Sequence, residues 1–261
     1  MFRHLFGPVP SRRLGISLGI DLVPKKVCTL DCVYCEIGKT TYLTDERKEY
    51  SDIKDIILEL DEYFKIHPDP DYITISGSGE PTLNIKIEEV IKFAKHIKPN
   101  IPIAVLTNGT LFSDEKVRRS IIDADIVLPS LDAATEQVFK KINRPHKKIT
   151  IEQCICGLIQ FRKEFKSKIH LEVFIIPGYN DHQEELKKIK EAIIRIHPDE
   201  VHLNTLDRPG ALSNLRVATQ EELKNVCNLW NLENVHIISS VKKRSELKLY
   251  REDINETILE I

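Results

Sequence analysis

From Leu14 to Val23 (LGISLGIDLV) apolar residues fall at 14, 16, 18, 20 and 22, with small or polar residues mostly between them. That period of two predicts a strand. Residues 51–66 (SDIKDIILELDEYFKI) switch to a helical spacing, with apolar positions at 53, 56, 57, 60 and 64, a cap at Ser51 or Asp52, and a stop at His67-Pro-Asp-Pro70. The same exchange of periods then repeats. Strands are predicted over 71–76, 102–107, 125–131, 168–176 and 200–205, from β-branched and apolar runs. Helices are predicted near 84–98, from a Ser113 cap to about 121, over 134–142 and 150–166, and up to about 196. Six strands alternating with helices make βα units and a parallel sheet. Right-handed crossovers wind such units into a barrel or part of one. The fold class is therefore α/β, a partial (β/α)6 TIM-like barrel.

The ends depart from this rhythm. Residues 1–13 carry Pro8 and Pro10, which forbid a regular helix, and are expected to form an irregular arm. From about 213 a short α/β extension is expected: a helix opened by Thr219-Gln-Glu-Glu222 and running to about 230, a further strand over 234–239, and a highly charged tail at 240–261 that packs as a helix or is partly mobile. The expected division is 1–212 as core with its arm and 213–261 as an extension packed on it.

Composition narrows the class only a little. The chain has 261 residues, 41% hydrophobic and 30% charged, with formal net charge −2 and pI about 6.5, so no global basic signature of nucleic-acid binding is present. No apolar run approaches the roughly 18 residues of a membrane helix, and MFRHLFGPVPSRR lacks the apolar stretch of a secretory signal. With six unevenly spaced cysteines, these features point to a reducing cytoplasm and no membrane.

The chemically loaded residues fall just after the predicted strands, where a (β/α) barrel builds its site. After the first strand comes Lys26-Val-Cys28-Thr-Leu-Asp-Cys32-Val-Tyr34-Cys35, a C-x3-C-x2-C spacing with no fourth cysteine nearby. Three thiols could be half of a zinc site. Zinc sites, however, pair C-x2-C or C-x4-C with a second Cys/His pair, and Cys154 and Cys156 sit two apart in a helical pattern, where they do not face each other. Three thiolates on a four-iron cluster would leave one iron open. Gly77-Ser78-Gly79-Glu80-Pro81 follows the second strand, small residues there allowing close backbone approach. Asn108, then Ser130 and Asp132, end the third and fourth strands, where capping a helix is the plainer use of Asp132. Asn204 and Thr205 end the sixth strand as a polar pair facing the same way.

The cysteine spacing, with Tyr34 before Cys35, resembles the signature of the radical S-adenosylmethionine (radical SAM) superfamily. The resemblance implies one [4Fe-4S] cluster on Cys28, Cys32 and Cys35. It also implies S-adenosyl-L-methionine (SAM) on the open iron, reductive cleavage to a 5′-deoxyadenosyl radical, and hydrogen abstraction from a substrate. Gly77-Ser78-Gly79-Glu80-Pro81 is similar to the family's Gly-Gly-Glu-Pro motif, which meets the methionine amino group, with Ser78 in place of a glycine. By the same resemblance Tyr34 offers a backbone contact to adenine, and Asn108, Ser130 and Asp132 meet the ribose or carboxylate. The loop 176–181 takes the place where the family's fifth strand meets the adenine. A reductant such as flavodoxin or ferredoxin is implied as partner.

A narrower likeness is to iron–sulfur oxidoreductases related to wyosine-tRNA synthases. Its carriers are Gly7-Pro-Val-Pro-Ser-Arg-Arg-Leu-Gly15, Gly77-Ser-Gly-Glu-Pro-Thr-Leu83, Lys141-Ile-Asn-Arg-Pro145 and Asn204-Thr-Leu-Asp-Arg-Pro209. It implies RNA, through tRNA modification, as substrate. A protein or peptide substrate, as for activating enzymes of glycyl-radical proteins, is the alternative. A non-catalytic iron–sulfur electron-transfer module is an alternative of another class. No cysteine precedes Cys28, and Cys154, Cys156 and Cys227 read as apolar filler, so a single cluster is expected. Arg12, Arg13, Arg144 and Arg208 form a candidate anion-binding set at the mouth, with loop-holding salt bridges as their simpler use.

Overall fold

A computed structural model of the chain describes residues 2–238. Its strands are β1 (Leu5–Ser11), β2 (Gly15–Ile20), β3 (Val27–Cys28), β4 (Tyr42–Leu43), β5 (Tyr72–Ile75), β6 (Ile103–Thr107), β7 (Ile126–Pro129), β8 (Lys168–Phe174), β9 (Glu200–Asn204) and β10 (Val235–Ile237). Its helices are α1 (Ile53–Ile66), α2 (Ile87–Ile97), α3 (Glu115–Ser120), α4 (Glu136–Ile142), α5 (Ile151–Glu164), α6 (Gln183–Ile196) and α7 (Gln220–Trp230). Eight strands form one sheet in the order β1-β2-β5-β6-β7-β8-β9-β10; β3 and β4 pair separately. Every pair in the large sheet is parallel except β1 with β2. The six predicted strands are β2 and β5 to β9, in chain order, which is the expected partial (β/α)6 barrel.

Strand parity decides what each face buries. Ile73, Ile75, Val105, Val127, Leu171, Val173, Val201 and Leu203 point to one face and join the apolar residues of the helices in the main core. The other face holds a smaller apolar group, Leu14, Ala104, Ile126 and Leu128, and then turns polar. This inner face borders a cavity of about 450 Å³, lined among others by Ser17, Thr74, Ser76, Leu106 and the arginines 12, 13 and 208.

The arm is a strand, not irregular. β1 pairs antiparallel with β2 at the sheet edge, with an irregularity between Phe6 and Val9. Proline lacks the N–H a central strand needs, but an edge strand can leave that side unpaired. The backbone N–H groups of Arg3 and His4 donate to the Glu59 carboxylate and tie the arm to α1. The α3 cap is Asp114, one residue after the predicted Ser113; its side chain accepts from Lys116 N. The 213–238 segment supplies α7, whose Trp230 indole N–H donates to Leu186 O at 2.9 Å, and β10, which extends the sheet beside β9. The charged tail at 240–261 lies outside the described residues.

Candidate active site

The cysteine loop leaves β2 at the C-terminal end of the parallel strands and is pinned there by backbone hydrogen bonds from several segments. Lys26 N donates to Ser78 O and Glu80 N to Val27 O, joining it to the turn after β5. Val33 N donates to Ile142 O, and Asp31 N to Asn143 O, joining it to the end of α4. Leu212 N donates to Val33 O, closing over it from the segment after β9. Gly38 N returns to Cys35 O and Thr40 Oγ1 donates to Leu30 O, so the Gly38–Thr41 stretch folds back on the loop.

Cys28, Cys32 and Cys35 are all partly buried, and each sulfur has its own N–H donor. Asn108 Nδ2 lies 3.5 Å from Cys28 Sγ, Asn143 Nδ2 3.4 Å from Cys32 Sγ, and Lys26 Nζ 3.1 Å from Cys35 Sγ. Burial, with Glu80 close by, pushes the Cys28 thiol up to about 12. Burial, with Asp132 close by, pushes Cys32 well above the ordinary thiol range. Thiols so placed keep their protons until a positive metal centre displaces them. Three thiols in one loop supply three of the four ligands that an iron–sulfur cluster takes. The remaining cysteines stand on α5 and α7. Cys154 is buried filler as expected, but Cys156 is exposed and donates to Glu152, because the helical i, i+2 offset turns it outward.

The Gly77–Glu80 turn is shaped by what it packs on. Gly77 has φ +127° and sits against the Asp21 carboxylate, which also accepts from Ser78 N. Gly79 lies against the Val27 carbonyl, where a side chain would collide. The two glycines therefore let the turn dock on the cysteine loop. Glu80 is almost fully buried. Its Oε1 accepts from Thr82 N, Thr82 Oγ1 and Thr107 Oγ1, and its Oε2 from Asn108 N, while burial raises its pKa. It braces the ends of β5 and β6.

Asp132 is a buried hub and does not cap a helix; Thr135 caps α4. Its Oδ1 accepts from Phe174 N at 2.9 Å, and its Oδ2 accepts from Tyr34 Oη and Asn143 Nδ2 at 2.5 and 2.8 Å. Burial raises its carboxyl to about 6. The Tyr34 ring stacks on Phe174 at 4.2 Å and 8°. Ser130 bridges to Glu172 across β7 and β8 and lines a narrow cleft with Asn108, Asp132 and Asn143. In the 176–181 loop, Asn180 is buried and donates to the carbonyls of Asp132 and Phe174, stapling the loop to the site's frame.

The four arginines do not form one set. Arg12, Arg13 and Arg208 line the cavity, whereas Arg144 lies with Asp31 at 3.9 Å beside a different pocket. Arg13 is paired with Glu172, and Arg12 lies 3.9 Å from Asp207. Arg208 makes no ion pair among the described residues. Asn204 faces the cavity side and donates to Glu172, but Thr205 turns away to Ile175 O, so they are not a pair. Lys26, Asn143 and Glu172 were not singled out from the sequence. Glu172 left the clearest signal, a carboxylate inside the apolar run HLEVFII.

The radical SAM superfamily sequence model matches residues 22–192. The chain is 37% identical over 257 residues to a protein of Brachyspira hyodysenteriae named GTPase Obg, a match covering 97% of this chain and 38% of that protein's length. It is 35% identical over 228 residues to a UPF0026 protein of Methanocaldococcus jannaschii, covering 87% of this chain and 70% of the relative. Among solved structures it is similar in fold to TYW1 with a lysine-pyruvate adduct bound, with a TM-score of 0.60 and 19% identity, over 82% of this chain and 72% of that one.

Proposed function

Because the chain belongs to the radical SAM superfamily, whose enzymes use a [4Fe-4S] cluster and SAM, we propose that Cys28, Cys32 and Cys35 hold one such cluster at the barrel mouth. When bound, the cluster supplies the electron that splits SAM into methionine and a 5′-deoxyadenosyl radical, which takes a hydrogen atom from the substrate. The observation carrying this reading is the set of three thiols, each with its own N–H donor and no fourth cysteine in the loop.

The protein's share is orientation and exclusion of water. Lys26, Asn108 and Asn143 hold the sulfurs and offset their charge. The Gly77–Glu80 turn presents backbone carbonyls to the SAM amino group, and Glu80 keeps that turn rigid through its buried hydrogen bonds. Asn108 and Ser130 face the SAM side. Asp132 acts through Tyr34 and Asn143, fixing the loop from beneath, and the Tyr34 backbone, against which Gly210 packs, is the contact assigned to adenine. A flavodoxin or ferredoxin supplies the electron from outside.

For the substrate we favour RNA. The support is the likeness to wyosine-synthase relatives in the four stretches quoted above and the cavity's Arg208, which has no ion pair among the described residues and is suited to a phosphate. The chemistry is tested by reducing anaerobically reconstituted protein with dithionite and assaying 5′-deoxyadenosine. If no 5′-deoxyadenosine forms, and SAM leaves the cluster's EPR spectrum unchanged, the chain is an electron carrier. Stimulation of cleavage by bulk tRNA supports RNA; stimulation by peptides alone moves the substrate to protein.

A further inference from the structure

A second cluster of metal-binding side chains lies at the opposite end of the strands from the cysteine loop. His170 is the third residue of β8, and Glu200 and His202 are the first and third of β9. His170 stands in register with Glu200, and Glu172 with His202, so all these side chains share the inner face of the sheet. One Glu200 oxygen, Oε2, lies 2.8 Å from His202 Nε2 and 3.9 Å from His170 Nδ1. The two imidazole rings are 4.9 Å apart at 58°. The three ligand atoms all lie within 4.8 Å of one another, the one such group of His, Cys, Asp or Glu among the described residues.

The hydrogen bonding is incomplete in a way that ordinary core histidines avoid. His170 and His202 are 8% and 4% exposed. Yet neither ring nitrogen of His170 has a partner, nor has Nδ1 of His202. A neutral imidazole carries one donor and one acceptor, and buried polar groups are normally satisfied. Two buried rings turned towards one carboxylate, with three nitrogens idle, call for a cation.

We propose that His170, Glu200 and His202 bind a divalent transition-metal ion of the zinc class at the floor of the barrel. With Zn–N near 2.0–2.1 Å and Zn–O near 2.0–2.2 Å, tetrahedral ligand atoms stand about 3.3–3.5 Å apart. The two Glu200 distances, 2.8 and 3.9 Å, bracket that spacing, and the widest separation is within 4.8 Å, so side-chain shifts of up to about 1.4 Å close the site. Two imidazoles and one carboxylate are a donor set that zinc accepts with a water in the fourth position. Glu200 is partly exposed and gives the ion its way in from the sheet's lower edge. The ion would clamp β8 to β9 directly below Glu172, whose carboxylate holds Arg13 at the cavity wall.

The test uses the holoprotein with its cluster reconstituted, dialysed against zinc and then against metal-free buffer. The expected result is one zinc per chain in addition to the cluster iron. Its zinc K-edge spectrum should show nitrogen and oxygen at about 2.0–2.1 Å and no sulfur near 2.3 Å. His170→Gln and His202→Gln should lose the zinc and keep the iron. Glu200→Gln, at a partly exposed position that spares the fold, should retain zinc at least tenfold less tightly and lose any zinc-induced rise in melting temperature. Zinc retention by wild type no greater than by Glu200→Gln overturns the site. So does a sulfur shell, which would place the zinc on the cysteines.

Discussion

The docking of the Gly77–Glu80 turn on the cysteine loop rests on a missing side chain, and Gly79→Ala tests it directly. A Cβ at Gly79 would run into the Val27 carbonyl oxygen and stand 2.7 Å from Val23 Cγ2. Neither atom belongs to a flexible chain end, so turn and loop must part by roughly 1 Å. Two backbone bonds, Lys26 N to Ser78 O at 2.8 Å and Glu80 N to Val27 O at 3.0 Å, then leave hydrogen-bond range. Each contributes about 0.5–1.5 kcal/mol, and overpacking itself costs about 1–3 kcal/mol. The expected loss is about 2–6 kcal/mol, or roughly 4–24 °C in melting temperature for a chain of this size. The assay is thermal unfolding of the apoprotein by circular dichroism, with iron per chain measured after anaerobic reconstitution. Iron should fall by at least half, because the loop that carries the thiols is the part that moves. Ser78→Ala, in the same turn, should change neither reading. If Gly79→Ala melts within 1 °C of wild type and takes up full iron, the proposed docking is wrong.

Other perturbations separate the remaining contributions. Arg13→Met leaves Glu172 buried without its cation and should cost about 3–5 kcal/mol, read as a fall in melting temperature at pH 7. The Arg13 guanidinium and Asn204 hold the Glu172 carboxyl below its usual range despite burial. Its stabilisation is therefore present above the unfolded value near 4.3 and is lost as pH falls through the lower folded value. That acid-side loss should vanish in the Arg13→Met, Glu172→Gln double variant. Asp132 has the opposite sign: its folded value is raised to about 6, so its term favours folding fully below about 3.9 and is lost as pH rises through 6. Melting curves of apo Asp132→Asn should lack that slope between pH 4 and 6, a difference of about 3 kcal/mol across the window. Lys26→Met removes a donor and a positive charge from Cys35 and should lower the cluster's reduction potential by roughly 30–60 mV in an EPR-monitored titration.

What the sequence made legible was local in the chain. The six parallel strands were readable because a buried strand must alternate or run apolar, and their order follows from right-handed crossovers. The thiols and the Gly-Ser-Gly-Glu turn were readable because each is a short motif after a strand. The edge strand β1 was hidden by Pro8 and Pro10, which weaken a strand signal unless the edge position is known. Asn143 stayed hidden for a different reason: its stretch carries only a family likeness, and its sulfur partner is 111 residues away. Asp132 was found at the right place with another use in mind. Whether a carboxylate after a strand faces a ligand or turns inward to a tyrosine depends on packing that no local pattern records.

The two buried carboxylates explain why the frame and the metal chemistry belong together. Glu80 fastens the end of β5 to the end of β6 through Thr107 and Asn108, and Asn108 also donates to Cys28. Asp132 fastens the end of β7 to β8 at Phe174, to Tyr34 in the cysteine loop, and to Asn143, which also donates to Cys32. Each carboxylate thus braces one sulfur through one shared asparagine. Each also places negative charge where it raises the pKa of that same thiol. Without a metal centre such an arrangement favours protonated, unreactive sulfur. Iron bound there as proposed would reverse the balance, because its positive charge makes deprotonation favourable where burial opposes it. The third sulfur, Cys35 Sγ, accepts from the Lys26 ammonium at 3.1 Å. The geometry around the thiols is therefore fixed by the fold, while their charge state is left for the metal to set.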